Sequence, residues 1–365
     1  MALAFVVPFL LALPDTGGVR LCAGGDVTLG SNLDTAWVVA RRVPAAPDPR
    51  RLLAPLRPLV ADADVVLVNV EGAIGVGPAP AKCQRRKRHC FAFRQPPEAA
   101  WALAELAPVV VGHVANNHAG DAGHEGWRQT QSWLRAAGVR VVGADTLPTL
   151  VALPTGDTLA LLGFGTSGWG PDARDTLAVR RHVARAAARA PYVVVSAHLG
   201  AEGRGAQRTR DATERFLGRI DRGNPVAFAR AAVAGGADLV VGHGPHVLRA
   251  AAWEGDALVL YSLGNLLTYG PFALAEPLNR GALACVRLGS GTVQEAWLRP
   301  TRQRPPGVAE NDRQRRAWVL IDSLSRLDFP ERGARVDSAG RLRRPAEERG
   351  YGSSSAGRRR APSQR

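Results

Sequence analysis

Six short polar segments stand where apolar runs of the chain stop: GGDVTLG, NVEG, ANNHAGD, SAHLGAE, VGHGPH and SLGN. They deliver Asp26, Glu71, Asn117, His118, His198, His243, His246 and Asn265, a set of carboxylate, amide and imidazole groups. Imidazole nitrogen mixed with carboxylate and amide oxygen suits borderline divalent ions such as Mn, Fe or Zn better than Ca or Mg. Asp26, Glu71, Asn117, His198, His243 and His246 are the candidate ligands for one or two such ions, with one carboxylate bridging a pair. A site of this kind makes hydroxide near neutral pH and clamps the attacking and leaving oxygens of a displacement at phosphorus or a carbonyl. His118, beside Asn117, is the candidate acid or transition-state donor.

The elements that must position these groups follow from the apolar runs. Segments 19–23, 65–68, 109–112, 192–196, 238–241 and 258–261 are mostly β-branched and too short for helices, so they read as buried strands. In an open α/β sheet, ligands collect beyond the carboxyl ends of the strands, and that is where the polar segments lie. Segments 97–106, 126–137, 176–188 and 225–234 carry apolar residues at helical spacing and read as the intervening helices. Residues 282–288 and 293–298, joined by Gly-Ser-Gly, read as a β-hairpin. Segment 311–327 places Trp318, Ile321, Leu324 and Leu327 on one helical stripe, which reads as a closing helix packed on the core. A chain of 365 residues that is 46% hydrophobic can bury one large α/β core.

Some of the chemically capable residues have ordinary readings. Lone histidines at 113 and 182 are read as structural. Asp121 could orient His118 as a supporting carboxylate, or cap the following helix. Glu202 could be a ligand, a base or a solvated charge; Asn265 reads as a turn residue at the floor of the site, and Asn69 as structural.

Taken in order, GDVTLG, NVEGAI, ANNHAGDAG, SAHLGAE, DLVVGHGPHV and YSLGN resemble the motif series of the CapA-type poly-γ-glutamate capsule synthesis proteins, within the calcineurin-like metallophosphoesterase superfamily. The resemblance spans roughly residues 19–300. It implies an α/β fold, a four-layer α-β-β-α sandwich in one domain. It also implies Asp26 and Glu71 as acidic ligands, Asn117 and His198 on a second metal, His243 and His246 closing the site, and His118 as acid. Two departures stand out. Val27 and Thr28 follow Asp26, so the Asp-x-His histidine of metallophosphoesterases is absent, an absence the CapA-type pattern shares. Gly244 stands where that pattern carries the middle histidine of GHHPH, a change that removes a substrate contact more readily than a ligand. The expected function is metal-dependent hydrolysis in the synthesis, processing or export of an anionic capsule polymer, and the alternative is a non-catalytic polymer-binding or assembly subunit.

The formal net charge of +15 comes almost entirely from arginine, with few aromatic residues interleaved for base stacking, so nucleic acid is not the expected partner. One concentration of charge, Lys82, Arg85, Arg86, Lys87 and Arg88, follows Glu71 and is a candidate contact for an anionic polymer or phosphorylated substrate. Cys83 and Cys90 flank it at a spacing that could close a small disulfide, whereas Cys22 and Cys285 lie in apolar strands and read as buried inert thiols. Residues 1–18 read as a truncated signal or anchor segment, 19–300 as the domain, 301–330 as the packing helix and 331–365 as a basic disordered tail. The expected location is the cell envelope or outside it, where a membrane polymer-synthesis complex is a candidate partner; the alternative is a cytoplasmic protein in which the first segment is a β-strand.

Overall fold

The computed structural model of the protein describes residues 18–30, 46–77, 91–270, 272–289 and 291–345. The strands are β1 (Val19–Leu29), β2 (Val65–Val70), β3 (Ala73–Ile74), β4 (Arg94–Gln95), β5 (Val109–His113), β6 (Arg140–Val142), β7 (Thr149–Ala152), β8 (Thr158–Gly165), β9 (Tyr192–His198) and β10 (Arg215–Phe216). They continue as β11 (Ile220–Asp221), β12 (Leu239–His243), β13 (Ala251–Glu254), β14 (Ala257–Leu260), β15 (Asn265–Tyr269), β16 (Arg280–Gly289), β17 (Thr292–Arg304), β18 (Val308–Asn311), β19 (Arg335–Val336) and β20 (Leu342–Arg343). The helices are α1 (Pro49–Leu53), α2 (Glu98–Ala104), α3 (Gly123–Ala136), α4 (Thr176–Ala187), α5 (Pro225–Gly235) and α6 (Arg316–Asp328).

The β-branched runs form two large sheets. The first has the order β18-β17-β16-β1-β2-β5-β6, with β15 added beside β1, and the second the order β13-β14-β12-β9-β8-β7. Side chains alternate across each strand, so every central strand feeds two cores. Leu21, Leu67 and Val111 of the first sheet meet Leu161, Val194, Leu239 and Val241 of the second in a core between the sheets. Their neighbours Val66, Val68 and Val110 face Leu53, Leu103 and Leu134 of α1, α2 and α3. On the other side, Val193, Val195 and Val240 face Val179, Val183, Phe228 and Ala232 of α4 and α5. The result is the expected four-layer α-β-β-α sandwich in one domain. Leu67 is fully buried between the sheets, and its truncation to alanine would cost about 2–5 kcal/mol.

β1 changes partner midway. Val19–Ala23 pair antiparallel with β16, and beyond a bulge Asp26–Leu29 pair parallel with β15. Gly25 makes the switch feasible, because a Cβ there would lie 1.8 Å from Gly264 O, while Asp26 N donates to the same carbonyl at 3.1 Å. The crossing leaves Asp26 on the carboxyl edge of the sheet.

Several expectations need correction. Cys22 and Cys285 are register partners on β1 and β16 and form a disulfide rather than two inert thiols. The first sheet continues past residue 300 through β17 and β18, so residues 301–311 belong to the domain. The last helix begins at Arg316, with Ile321 and Leu324 buried but Leu327 58% exposed. Residues 331–345 are not a disordered tail: β19 and β20 pair, and Ala334 and Leu342 are buried in the core between the sheets. The initial segment, the Lys82–Arg88 cluster, Cys83, Cys90 and the end of the tail from 346 lie outside the described residues.

Candidate metal centre

The carboxyl ends of the parallel strands of both sheets converge. β1 supplies Asp26, the residue after β2 is Glu71, the loop after β5 carries Asn117 and His118, β9 ends in His198, and β12 ends in His243 with His246 three residues on. His198 and His243 are direct register partners, so one slip in pairing would turn one of them to the opposite face. Glu71 Oε1 lies 3.5 Å from His198 Nε2, 3.6 Å from His246 Nε2 and 4.0 Å from His118 Nε2. Asp26 Oδ1 lies 4.0 Å from His243 Nδ1, and ligand atoms of Asp26, Glu71 and His198 all fall within 4.8 Å of one another.

Hydrogen bonds set the orientation of one part of this cluster. Asn69 Nδ2 donates to Asp26 Oδ1 at 2.8 Å, and Asn116 Nδ2 donates to Asn69 Oδ1 at 3.0 Å and to Val70 O at 2.8 Å. Asn116 Oδ1 in turn accepts the His118 backbone N–H at 3.1 Å. His118 Nδ1 donates to Asp121 Oδ2 at 2.7 Å, and the same oxygen accepts from Phe93 N at 2.6 Å. Helix α3 has no side-chain cap, so of the two readings of Asp121 the orienting carboxylate is the one realised. The His118 ring packs on Phe93 with centroids 4.2 Å apart. Thr28, at the place of the absent Asp-x-His histidine, uses its hydroxyl to donate to Glu71 O at 2.7 Å.

The other part is held mainly by packing. His243 Nε2 lies 3.0 Å from Ser196 Oγ. The His198 ring lies against Gly244, whose φ is +106° and where a Cβ would sit 2.8–3.0 Å from that ring. A glycine therefore fits where the motif series carries a histidine. His246 occupies the left-handed region at φ +59°. Its Nδ1 lies 2.9 Å from Asp26 Oδ2 and 3.0 Å from Asn265 Oδ1, both acceptors, so it donates there and turns Nε2 toward Glu71. Asn265 thus positions His246. Glu202 accepts from Asn117 Nδ2 at 3.3 Å and pairs with Arg222; it supports Asn117 rather than joining the ligand set.

Burial governs the protonation of the rings. It pushes His198 well below the usual imidazole range and, with the charge of His113, brings His243 down to about 3. His113, read as an ordinary structural residue, is fully buried with its ring 5.5 Å from that of His243, and burial brings it to about 3 as well. Burial opposes charge on His246 too, but Glu71 and Asp26 outweigh it and raise the ring to about 9. The histidines aimed at the carboxylates from β9 and β12 are therefore neutral at pH 7, the state that binds a metal.

The polar atoms left without partners test the fit of a cation. Both carboxylate oxygens of Glu71, Asn117 Oδ1, both ring nitrogens of His198 and His243 Nδ1 are buried and make no hydrogen bond. Glu71 has the charged His246 ring 3.6 Å away but no hydrogen bond, so a divalent cation beside it would lower the cost of its burial. The donor set of oxygen and imidazole nitrogen fits such an ion.

Asn69, Asn116 and Ser196 are supporting residues whose roles depend on neighbours distant in sequence. Arg222 is also at the site, 3% exposed, and no motif marks it. No helix among the described residues is long and apolar enough to cross a membrane.

No curated protein matches the chain. Among solved structures, a Staphylococcus aureus protein provisionally named a 5'-nucleotidase, in complex with alpha-ketoglutarate, is 12% identical with a TM-score of 0.45, over 84% of this chain and 58% of that one. This chain thus spans less than two thirds of that protein. GAP50, the anchor in the inner membrane complex of Plasmodium, is 7% identical with a TM-score of 0.34, over 83% of this chain and 95% of that one. A cysteine-to-alanine mutant of the Nesterenkonia AN1 amidase, from the nitrilase superfamily, is 14% identical with a TM-score of 0.30, over 76% of this chain and 94% of that one. Residues 20–269, which contain every residue of the carboxylate and histidine cluster, match the family described as bacterial capsule synthesis protein PGA_cap, and the chain belongs to that family.

Proposed function

We propose that this protein is a metal-dependent hydrolase of the cell envelope that cleaves a phosphoester in the making or export of an anionic capsule polymer of the poly-γ-glutamate type. The observation that carries this reading is the Glu71 carboxylate, fully buried, with neither oxygen hydrogen-bonded and three imidazole nitrogens within 4.0 Å. Asp26, Glu71, Asn117, His198, His243 and His246 would hold one or two Mn, Fe or Zn ions. Such an ion supplies Lewis acidity and lowers the pKa of coordinated water. The chain's own residues do the rest. Asp26 and Asn265 fix the His246 ring through Nδ1, and Glu202 fixes the Asn117 amide through Nδ2, leaving its buried oxygen unbonded. Asp121 holds the Nδ1 proton of His118, so that a proton carried at Nε2 can pass to the leaving oxygen. Phe93, against the His118 ring and 4.7 Å from Phe272, keeps water from that side of the imidazole.

A second reading, a non-catalytic polymer-binding subunit that retains one structural metal, draws on Thr28, whose hydroxyl is committed to a backbone carbonyl and offers no ligand where a histidine would stand. Metal content of wild type and Glu71→Gln, followed by hydrolysis of bis(p-nitrophenyl) phosphate and of poly-γ-glutamate, separates the two. Near-stoichiometric metal that is lost in the variant, with hydrolysis by wild type, is the expected result. Bound metal without hydrolysis of either compound moves the assignment to the binding subunit. A wild type that takes up no Mn, Fe or Zn on loading removes both.

A further inference from the structure

Two arginines are buried along the segment that links β9 to α5 and the loop beyond β12, and their surroundings differ. Arg249, 1% exposed, is fully engaged: Nε donates to Ala206 O at 2.6 Å, Nη1 and Nη2 grip Glu214 at 2.9 and 2.7 Å, and Nη2 also reaches Ala201 O at 3.3 Å. It anchors the segment. Arg222, 3% exposed, has an ion pair with Glu202 and a buried Nε that donates to nothing. The Phe216 ring lies 5.7 Å from its guanidinium carbon. Its backbone is locked, with N donating to Glu214 O at 2.9 Å and O accepting from Gly200 N at 2.8 Å, so the side chain leaves a rigid base.

That side chain points to the metal centre. Its partner Glu202 also accepts from Asn117 Nδ2, which places the guanidinium one carboxylate away from the ligand beside His118. Arg222 is close enough to Asp26, Glu71 and His198 to interact electrostatically with all three. A guanidinium has five donors in a planar fork that matches two oxygens of one anion. Burying it with an unused Nε costs free energy unless a further acceptor arrives. The segment has the means to satisfy an arginine fully, as Arg249 demonstrates, and Arg222 is left incomplete beside the carboxylate and histidine cluster.

We propose that Arg222 is the substrate-binding residue for a phosphoryl group, gripping two of its oxygens beside Asn117 and His118, and that the Glu202 carboxylate holds the guanidinium in place until that anion takes over part of its bonding. The assignment deepens the hydrolase reading and rests on it for the chemistry that follows binding. It narrows the substrate to one whose phosphoryl group presents two non-bridging oxygens away from the metal ligands. No covalent step is assigned to Arg222.

Calorimetric titration of inorganic phosphate into full-length protein loaded with Mn tests this, with Mn content measured on every sample. Arg222→Met is expected to keep wild-type Mn content and to bind phosphate at least about tenfold more weakly. Arg222→Lys, which retains charge but loses the fork, is expected to fall between them. Glu202→Gln, which can still accept from Asn117 but no longer competes as an anion, is expected to bind phosphate more tightly than wild type. Phosphate affinity in Arg222→Met within about twofold of wild type, including absence of binding to both, overturns the proposal. If Arg222→Met does not fold, a wild-type affinity in Arg222→Lys together with no gain in Glu202→Gln overturns it equally. Failure of the hydrolase reading looks different: wild type takes up no Mn, and the same titrations on metal-free protein then decide Arg222 alone.

Discussion

The two sheets bring unequal halves to the candidate metal centre. The first-sheet half, Asp26, Glu71 and His118, is acidic and oriented largely by a relay of hydrogen bonds running from Asp26 through Asn69 and Asn116 to the His118 backbone, and from His118 through Asp121 to Phe93. The second-sheet half, His198 and His243, is neutral and held by strand register, by packing against Gly244 and by one contact to Ser196. Hydrogen bonds make the first half ready before a cation arrives, whereas the second keeps its nitrogens open. Glu71 is the exception on the acidic side, with neither oxygen hydrogen-bonded among imidazoles. The halves are complementary, and a cation between them would satisfy what neither satisfies for the other.

The comparison breaks most visibly at low pH. His113, His198 and His243 have folded values depressed below the ordinary imidazole value, His113 and His243 to about 3. As pH falls below about 6.5 the unfolded chain takes up protons that the folded chain refuses, so each ring removes about 1.4 kcal/mol of stability per pH unit down to its own folded value. Metal-free protein is expected to lose roughly 4 kcal/mol per unit from the three together in that range. Urea unfolding with a chelator at pH 7, 6 and 5 measures this, and a flat profile would show that these three rings are not held neutral. His246 acts in the opposite sense: raised to about 9, its contribution is complete below the ordinary imidazole value and is lost as pH rises through 9.

Glu71→Gln gives the next largest effect, with two opposite signs. Metal affinity should drop by more than about 100-fold, because a ligand common to three histidines is lost. Metal-free Glu71→Gln should be less stable than metal-free wild type by about 1–3 kcal/mol at pH 7, where the charged His246 ring loses its carboxylate, and should gain relative to wild type above pH 9, where that ring is neutral. Paired denaturation curves with and without Mn, at pH 7 and pH 10, read both effects, and a variant stabilised in chelator at pH 7 would mean that His246 carries no charge beside Glu71. Asp121→Asn sharpens the account of the first half. Turnover of bis(p-nitrophenyl) phosphate should fall about 10–100-fold with metal content unchanged, whereas a helix-capping role would lower the melting temperature and leave turnover alone. The smallest effect is Asn69→Ala, where loosening of Asp26 should weaken metal binding about tenfold, measured by competition with a chromogenic chelator.

The strands, the helices of the outer layers and the carboxylate and histidine cluster were legible because each rests on a local signal. β-branched runs end where polar residues begin, and helical spacing marks α2 to α5 to within a few residues. Asp26, Glu71, His198, His243 and His246 lie together because the carboxyl ends of parallel strands lie together. Asn69 illustrates what was not legible: it reads as structural, and its function is to hold Asp26 through a side-chain bond 43 residues away in the chain. The same applies to Cys22 and Cys285, which appear in sequence as two separate apolar thiols and in the fold as register partners 263 residues apart. Leu342 gave no signal of burial, because a short hairpin in a basic segment covers an end of the core that only two packed sheets create.

Composition and periodicity by themselves determined the layer types, the strand ends and the chemical character of the centre, since these follow from side-chain preferences over a few consecutive residues. Tertiary structure alone decided which nitrogens of His118, His243 and His246 are engaged, that Asp121 serves His118 rather than a helix, that Glu202 and Arg222 lie beside the cluster, and that neither oxygen of Glu71 is hydrogen-bonded. Those properties depend on distances between groups brought together by register and sheet packing, and such distances have no counterpart in local sequence.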